Sequence, residues 1–201
     1  MNDRNTLPPS PDLMSAEDTV LLVLDAQKKL VPLLTDPSRV VWNIRRLLVG
    51  ASVLGVRVTA SEQYPKGLGK TIQQLAAPLK QAGVTSVPEK VTFSCGGCEE
   101  IVTALEQWGV NRVLVVGVET HVCVQQTVLD LQAAGYRLYV AVDAVGSRNT
   151  IDYETALRRM ESSGVTLTTT EAVLCEWCRV SGTPEFKAIS SLLKESVPES
   201  L

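Results

Sequence analysis

The stretch Val113–Leu129, VLVVGVETHVCVQQTVL, decides the fold. Its first four residues are apolar, which predicts a strand buried on both faces, and Gly117 ends that run. From Val122 onward apolar residues recur at three- and four-residue spacing, which predicts a helix that ends at Gly135. Cys123 is therefore expected in the first turn of a helix, directly after a buried strand.

The order helix, glycine, apolar strand recurs along the whole chain. Its glycines are spaced 28, 26, 26 and 29 residues apart, about one β-plus-α unit each. They are Gly55, Gly83, Gly109, Gly135 and Gly164. Glycine fits the left-handed position that follows a helix. With the opening strand, this alternation predicts a six-stranded parallel sheet covered by helices on both faces.

The predicted elements can be given bounds from the sequence. The strands are Thr19–Leu24, Val56–Ser61, Val84–Val87, Arg112–Val116, Arg137–Val142 and Val165–Thr169. A first amphipathic helix is predicted from Ser38, as its N-cap, to Leu54, and a last one over Pro184–Lys194. Residues 1–18 are polar and proline-rich, which predicts a disordered or loosely docked arm. Residues 19–201 are expected to form a single domain.

Composition excludes several classes of partner. Of the residues, 45% are hydrophobic and 20% charged, and the net charge is −3, which argues against nucleic acid or an anionic membrane as a partner. The longest apolar run, Val20–Leu24, is too short to cross a bilayer. The polar N-terminus is not expected to be a signal peptide. Five cysteines, an odd number, then predict free thiols in the cytoplasm.

Chemically active side chains follow the predicted strands. In open parallel sheets, ligands bind outside the carboxyl ends of the strands. The residues expected there are Asp25, Glu62, Gln63, Tyr64, Lys90, Cys123 and Asp143. An Asp, a Lys and a Cys that converge could form a nucleophilic site, although each alone is a common structural residue. We expect the Lys90 ammonium and the helix N-terminus to lower the pKa of the Cys123 thiol.

Three motifs together resemble the isochorismatase-like cysteine hydrolases. They are LVLDAQ with Asp25, PEKVTFS with Lys90, and GVETHVCVQQT with Cys123. The resemblance covers nearly the whole chain from Thr19 onward, and SEQYPKGLG at Ser61–Gly69 looks most like the isochorismatase domain-containing branch. It implies a three-layer α/β/α fold with a doubly wound sheet of strand order 3-2-1-4-5-6.

The resemblance also implies a mechanism. Cys123 would attack a carbonyl carbon, Asp25 would relay protons, and Lys90 would stabilise the thiolate and orient Asp25. A thioester intermediate would then be hydrolysed, without a cofactor, in a small amide, imide or carbamoyl-type substrate. Members of the family often have a cis peptide bond at the position of Val118 and Glu119, and we expect the turn from there through Thr120 to supply oxyanion donors.

The substrate pocket is expected to include five side chains near these motifs: Gln27, Gln63, Tyr64, Phe93 and His121. His121 is the single histidine of the chain, and its position two residues from Cys123 invites a Cys–His dyad. Side chains at i and i+2 seldom converge around a tight turn, so pocket lining is the favoured interpretation.

Two patterns suggest metals but have stronger alternatives. Nicotinamidases of the family carry an Asp/His metal set after the second strand, whereas this chain has SEQYP at Ser61–Pro65, so we expect no metal. The pairs Cys95–Cys98 and Cys175–Cys178 resemble a four-cysteine zinc site. However, they follow strands that the family order places at opposite edges of the sheet. Redox chemistry at Cys95–Cys98 remains open, because this pair also opens a helix.

Two further functions remain as alternatives: an isochorismatase-type hydrolase of a vinyl ether, and a non-catalytic small-molecule-binding protein on the same fold. As this family is usually oligomeric, we also expect at least a homodimer. Its interface could include Trp42, Trp108 or Trp177, although core packing is the commoner fate of a tryptophan.

Overall fold

A computed structural model of the protein describes residues 7–199. Six parallel strands form one sheet in the order β3-β2-β1-β4-β5-β6, which confirms the predicted fold. The strands are β1 (Thr19–Leu24), β2 (Arg57–Gln63), β3 (Glu89–Lys90), β4 (Arg112–Val118), β5 (Arg137–Gly146) and β6 (Thr166–Thr168). Across residues 7–199, none of the helices has both the length and the apolar character that a membrane span requires.

Helices cover both faces of the sheet. They are α1 (Pro37–Leu54), α2 (Pro65–Leu68), α3 (Gln73–Gln81), α4 (Glu99–Trp108), α5 (Gln125–Ala133), α6 (Thr150–Ser162), α7 (Thr170–Cys178) and α8 (Pro184–Leu193). Successive side chains of a strand point to opposite faces. In β1, Leu21 and Val23 therefore join a core with α1, α3, α7 and α8, whereas Val20 and Leu22 join a second core with α4, α5 and α6.

The third strand differs from its prediction. Val84–Val87 is not a strand, and β3 consists of Glu89 and Lys90 alone. Val84 and Val87 pack against the first core, so their apolar character reflects burial without strand pairing. Lys90 consequently lies in a strand, opposite Gln63 of β2, and not in a loop beyond one.

Other boundaries shift by a few residues. Strands β2 and β4 each run two residues further than predicted, and β6 is shorter. Helix α1 is capped by Asp36 and not by Ser38, because the Asp36 carboxylate accepts from Arg39 N at 3.1 Å and Pro37 suits the first helical position. Strand β5 continues to Gly146, so Asp143 lies within it.

Asp143 does not belong to the predicted rim of chemically active residues. Its Oδ1 atom accepts hydrogen bonds from the backbone N–H of Thr170 at 2.9 Å and from the Thr170 hydroxyl at 3.0 Å. Asp143 therefore satisfies an unpaired N–H at the start of α7, which is a structural role.

Gly117 allows β1 and β4 to approach closely at the end of the sheet. Its φ angle is +114°, and a Cβ atom there would lie 2.1 Å from the carbonyl oxygen of Leu24. Any larger residue would force the two strands apart immediately before Asp25, since that contact is with backbone and cannot be relieved by a side-chain rotation.

Part of the predicted N-terminal arm packs on the sheet; residues 1–6 lie outside the described range. Met14 is fully buried in the first core, and its backbone N–H donates to Glu176 Oε2 at 2.8 Å. Arg137 forms an ion pair with Asp12 at 2.6 Å. The segment before β1 is therefore docked from about Pro11 onward, while the domain boundary itself remains a prediction.

The tryptophans give no support to the predicted interface. Trp177 is buried in the first core, and Trp108 packs against the second. The Trp42 ring lies under the guanidinium of Arg46, 4.3 Å from centroid to Cζ. The homodimer remains a prediction.

Replacement of Met14 by alanine tests the docking of this segment. Deleting a fully buried methionine side chain leaves a cavity, so we expect Met14→Ala to lower the free energy of unfolding by about 2–5 kcal/mol in a urea titration. Leu13→Ala is the matched control, because Leu13 is 41% exposed. Equal losses for the two variants would show that the segment does not dock as described.

Candidate functional site

Strand pairing brings three chain segments together at one end of the sheet. Leu24, the last residue of β1, is aligned with Ser61 of β2 and with Gly117 of β4. Asp25 follows directly, and the turn that contains Cys123 follows β4. The two predicted residues Asp25 and Cys123 therefore meet because their strands are neighbours.

Lys90 reaches Asp25 from the edge strand β3. Its Nζ atom lies 2.7 Å from Asp25 Oδ2, and both side chains are buried. The ammonium also donates to Gln63 Oε1 at 2.8 Å and to the carbonyl oxygen of Phe93 at 2.9 Å, with that of Thr92 at 3.3 Å. Burial disfavours the charge of Lys90, but the negative charge and the hydrogen bond of Asp25 favour it, and the pKa of Lys90 is raised above the ordinary value.

The turn after β4 presents Cys123. Residues Thr120–Val124 form a π-helical turn that leads into α5, and the peptide bond between Val118 and Glu119 is cis. The carbonyl oxygen of Glu119 accepts from the N–H groups of Val122 and Val124 at 3.1 and 3.2 Å. Val122 is thus removed from the candidate oxyanion donors. The predicted position of Cys123 holds, with a π turn where an α turn was expected.

The expected lowering of the Cys123 pKa is wrong. Burial raises the pKa of this thiol well above its ordinary value, the charge of the Asp25 carboxylate raises it further, and Lys90 offsets only part of this. The main physical reason is burial, and the 2.7 Å ion pair adds to it, because the charge of Lys90 is largely balanced by that of Asp25. At neutral pH the free protein therefore holds Cys123 as a neutral thiol.

The side-chain amides of Gln27 and Gln63 are both engaged in hydrogen bonds at the end of β2. Gln27 donates to the carbonyl oxygens of Gln63 at 2.9 Å and Gly69 at 2.6 Å, and it accepts from Gln63 N at 2.8 Å. Gln63 in turn donates to the carbonyl oxygen of Val91 at 3.0 Å and accepts from Lys90. Both amides are therefore occupied in fixing the strand end that holds Lys90.

Tyr64 and Phe93 lie at the surface near Lys90. They are 54% and 53% exposed. A cavity of about 310 Å³ opens here, and it is lined by Tyr64, Pro65, Lys66, Glu89, Lys90 and Val91. A larger cavity of about 660 Å³ lies next to Lys28 and Ile72 but has none of Asp25, Lys90 or Cys123 in its lining. The smaller cavity is the better candidate for a substrate entrance, since it reaches Lys90.

The residues on either side of Thr120 are bonded to the loop after β5. Glu119 Oε1 accepts from Arg148 Nε at 2.9 Å, and His121 Nδ1 lies 3.0 Å from Ser147 Oγ. The partner of His121 is thus Ser147, which gives no support to a Cys–His dyad. The Thr120 hydroxyl is buried without a hydrogen-bond partner within residues 7–199. These contacts anchor the Cys123 turn to β5.

Sequence reasoning missed Ser61. Its hydroxyl donates to Asp25 Oδ1 at 2.7 Å, and the side chain is buried. The prediction ended the second strand at this residue and gave it no role. Only the register between β1 and β2 places it opposite Leu24, and a single sequence does not specify that register. Glu62, its neighbour, points elsewhere and binds Thr71.

The cysteine pairs do not form the alternative zinc site. Cys95 and Cys98 belong to the second core, whereas Cys178 packs against the first core on the opposite face of the sheet. Throughout the described residues, no three His, Cys, Asp or Glu side chains are grouped in a way that could hold a metal ion. All five cysteines are free thiols.

A family model described as the isochorismatase domain matches residues 19–172. The chain belongs to the isochorismatase family. Its similarity to other members is spread along the sequence: an isochorismatase domain-containing protein 1 from Salmo salar is 39% identical over 182 residues, 90% of this chain. The chain spans only 63% of that relative's length.

Further relatives of this family agree in length and fold. Isochorismatase domain-containing protein 2A from Mus musculus is 35% identical over 92% of this chain and 86% of its own length. The structure of the MAR1 ribonuclease from Caenorhabditis elegans is 34% identical, with a TM-score of 0.84 over 94% of this chain and 95% of that one. The resemblance inferred from the three motifs is thus confirmed.

Loss of Lys90 should destabilise the protein more than loss of another lysine. We expect Lys90→Ala to lower the free energy of unfolding by about 3–5 kcal/mol at pH 7, because it leaves the Asp25 carboxylate buried without its partner. Pairing raises the pKa of Lys90, so this stabilisation is complete below the ordinary lysine value of 10.5 and is lost as the pH rises through the higher folded-state pKa.

Two comparisons in the same urea titrations complete this test. Lys66→Ala removes an exposed lysine close by and should change stability little. In the background Asp25→Asn, the further change Lys90→Ala should cost less than it does in the wild type, because the buried negative charge is gone. If Lys90→Ala lowered the free energy of unfolding as much in the Asp25→Asn background as in the wild type, the pairing would be contradicted.

Proposed function

We propose that this isochorismatase-family hydrolase cleaves the C–N bond of a small amide, imide or carbamoyl compound through a thioester on Cys123. The observation that carries the proposal is the buried ion pair of Asp25 and Lys90 at the strand ends that also bring in the buried thiol of Cys123. A nucleophile, a base and a fixed cation in one water-poor site are the parts that acyl transfer requires.

Acylation starts from the neutral thiol. The Asp25 carboxylate takes the thiol proton as the Cys123 sulfur attacks the carbonyl carbon, so that the thiolate never accumulates. The oxyanion of the tetrahedral intermediate is stabilised by backbone N–H groups of the turn from Glu119 to Cys123, of which Val122 is already engaged. Protonated Asp25 then gives its proton to the leaving nitrogen, the C–N bond breaks, and an amine departs.

Deacylation repeats these steps with water. Asp25, again ionised, takes a proton from a water molecule that attacks the thioester carbonyl. The carbon–sulfur bond breaks, the sulfur recovers its proton from Asp25, and a carboxylic or carbamic acid leaves. Lys90 stays protonated throughout, because its pKa is raised, and it keeps Asp25 oriented between the two half-reactions.

The alternatives make different demands on Cys123. A vinyl ether hydrolase of the isochorismatase type does not use a nucleophilic cysteine. A non-catalytic binding protein has no use for the paired Asp25 and Lys90. The name of the Caenorhabditis elegans protein describes a ribonuclease, and the net charge of −3 on this chain is unfavourable for RNA. A substrate panel with amides, carbamoyl compounds, a vinyl ether and RNA separates all four.

The role of Cys123 is tested by its removal. We expect Cys123→Ala to lower turnover of an amide or carbamoyl substrate by on the order of 10⁴-fold or more, with the fold intact by circular dichroism. Cys175→Ala is the matched control, because Cys175 is an exposed thiol, and it should keep full activity. Mass spectrometry of a rapidly quenched reaction should show an acyl adduct on Cys123. Full turnover by Cys123→Ala would refute the thioester mechanism.

Chelation should not affect this activity. The sole histidine is bonded to Ser147, and the acid of the site is paired with Lys90, so we infer a mechanism that needs no metal. Dialysis against EDTA and 1,10-phenanthroline is expected to leave kcat unchanged. Loss of turnover on chelation, with recovery on adding zinc or iron, would overturn this inference.

A further inference from the structure

Ser61 contacts Asp25 through both its backbone and its side chain. The carbonyl oxygen of Ser61 accepts from Asp25 N at 3.1 Å, and the hydroxyl donates to Asp25 Oδ1 at 2.7 Å. Ser61 is 1% exposed and lies in β2, opposite Leu24 of β1. No other described hydrogen bond reaches the Oδ1 atom of Asp25.

The backbone of Asp25 adopts a conformation that is intrinsically unfavourable for this residue type. Its φ angle is +52°, in the left-handed region, which costs a non-glycine residue roughly 1–2 kcal/mol. Asp25 also accepts from Gln27 N through its carbonyl oxygen at 2.7 Å. The conformation therefore depends on the bonds made around it, and Ser61 supplies two of them.

Lys90 alone does not fix the plane of the carboxylate. An ammonium is a compact charge with rotating donors, and it binds only Oδ2. The terminal torsion of an aspartate is broad, so a single contact permits the other oxygen to swing. A second donor at Oδ1 removes this freedom.

We propose that Ser61 is a positioning residue that holds the Asp25 carboxylate in the orientation from which it exchanges a proton with Cys123. This inference rests on the proposed cysteine hydrolase function. It assigns to Ser61 no contact with substrate. Its effect is to fix one oxygen of the base while Lys90 fixes the other.

A second thiol, Cys95, does not take the Ser61 proton away from Asp25. Cys95 is buried beside Ser61, and its backbone N–H donates to Thr127 Oγ1 at 2.9 Å, which fixes its position. Burial raises the pKa of Cys95 to about 12, although Lys90 and the Ser61 hydroxyl both act to lower it. Cys95 is consequently a neutral thiol and no competing anion, and the single hydroxyl proton of Ser61 is donated to Asp25.

The test uses alkylation of Cys123 by iodoacetamide, which needs no knowledge of the substrate. Intact-protein and peptide mass spectrometry gives the rate at Cys123 from about pH 5 to about pH 9. The variants are Ser61→Ala, Ser61→Thr, which keeps the hydroxyl, and Thr59→Val. Thr59 lies on the same face of β2 and also loses one hydroxyl, but it makes no described contact with Asp25.

We expect Ser61→Ala to slow alkylation by about 10²-fold at the acid end of this range, as for a displaced catalytic group. The ratio of wild-type to variant rates should shrink as the pH rises. The thiolate fraction that forms by direct ionisation grows with pH and does not depend on Asp25. Ser61→Thr should recover most of the rate, and Thr59→Val should match the wild type. Once a substrate is found, Ser61→Ala should lower kcat and leave KM nearly unchanged.

Other results would overturn the inference. An unchanged alkylation rate in Ser61→Ala, or a loss that is the same at every pH and is not recovered by Ser61→Thr, would leave Ser61 with a structural role only. The proposed function fails separately, by turnover that survives Cys123→Ala. Turnover that requires Cys123 but is indifferent to Ser61→Ala removes the positioning role and leaves the hydrolase mechanism standing.

Discussion

The ion pair between Lys90 and Asp25 is the interaction on which the rest of the site depends. Two buried charges are expensive to remove from water, and their attraction offsets that cost only when the remaining hydrogen-bonding groups are also satisfied. Here Gln63 and the carbonyl oxygen of Phe93 complete the shell of Lys90, and Ser61 completes that of Asp25. The loop after β3 and the end of β2 are shaped by this requirement. We infer that the pair contributes more to the conformational specificity of this region than to the net stability of the fold.

The order of the strands makes the pair possible. Asp25 and the Cys123 turn lie side by side because β1 and β4 are neighbours, and Gly117 lets their ends approach without a side chain between them. Lys90 comes from the far side of β2, in a strand only two residues long. That strand carries little apolar content, so its position is determined by the polar contacts of Lys90 and Gln63 more than by core packing.

Much of this arrangement was accessible from the sequence, and the rest had identifiable physical obstacles. Glycine spacing and apolar runs predicted six strands, and Asp25, Lys90 and Cys123 were found because they follow or form strand ends. The pattern failed at Val84–Val87, where burial occurs without strand pairing, and at Asp143, whose strand continues past the expected end. The hydrogen-bond partners of Ser61, Gln27 and Gln63 depend on strand register and side-chain direction. Neither can be predicted from a single sequence. The pKa of Cys123 was misjudged because the prediction weighed Lys90, the helix N-terminus and Asp25 but not the burial of the thiol, which is the largest cause of the raised pKa.

The burial of Cys123, the proposed nucleophile, as a neutral thiol has a consequence for oxidative chemistry. Peroxides and disulfides react with thiolates, and exposed low-pKa cysteines are the ones that become sulfenic acids or mixed disulfides. Cys123 is shielded on both counts, since it is buried and its pKa is raised. Cys175 of α7 is exposed and is therefore the more accessible of the two thiols. In the proposed mechanism a base activates the thiol only at the moment of attack, so we expect Cys123 to survive oxidants that inactivate enzymes with a preformed thiolate.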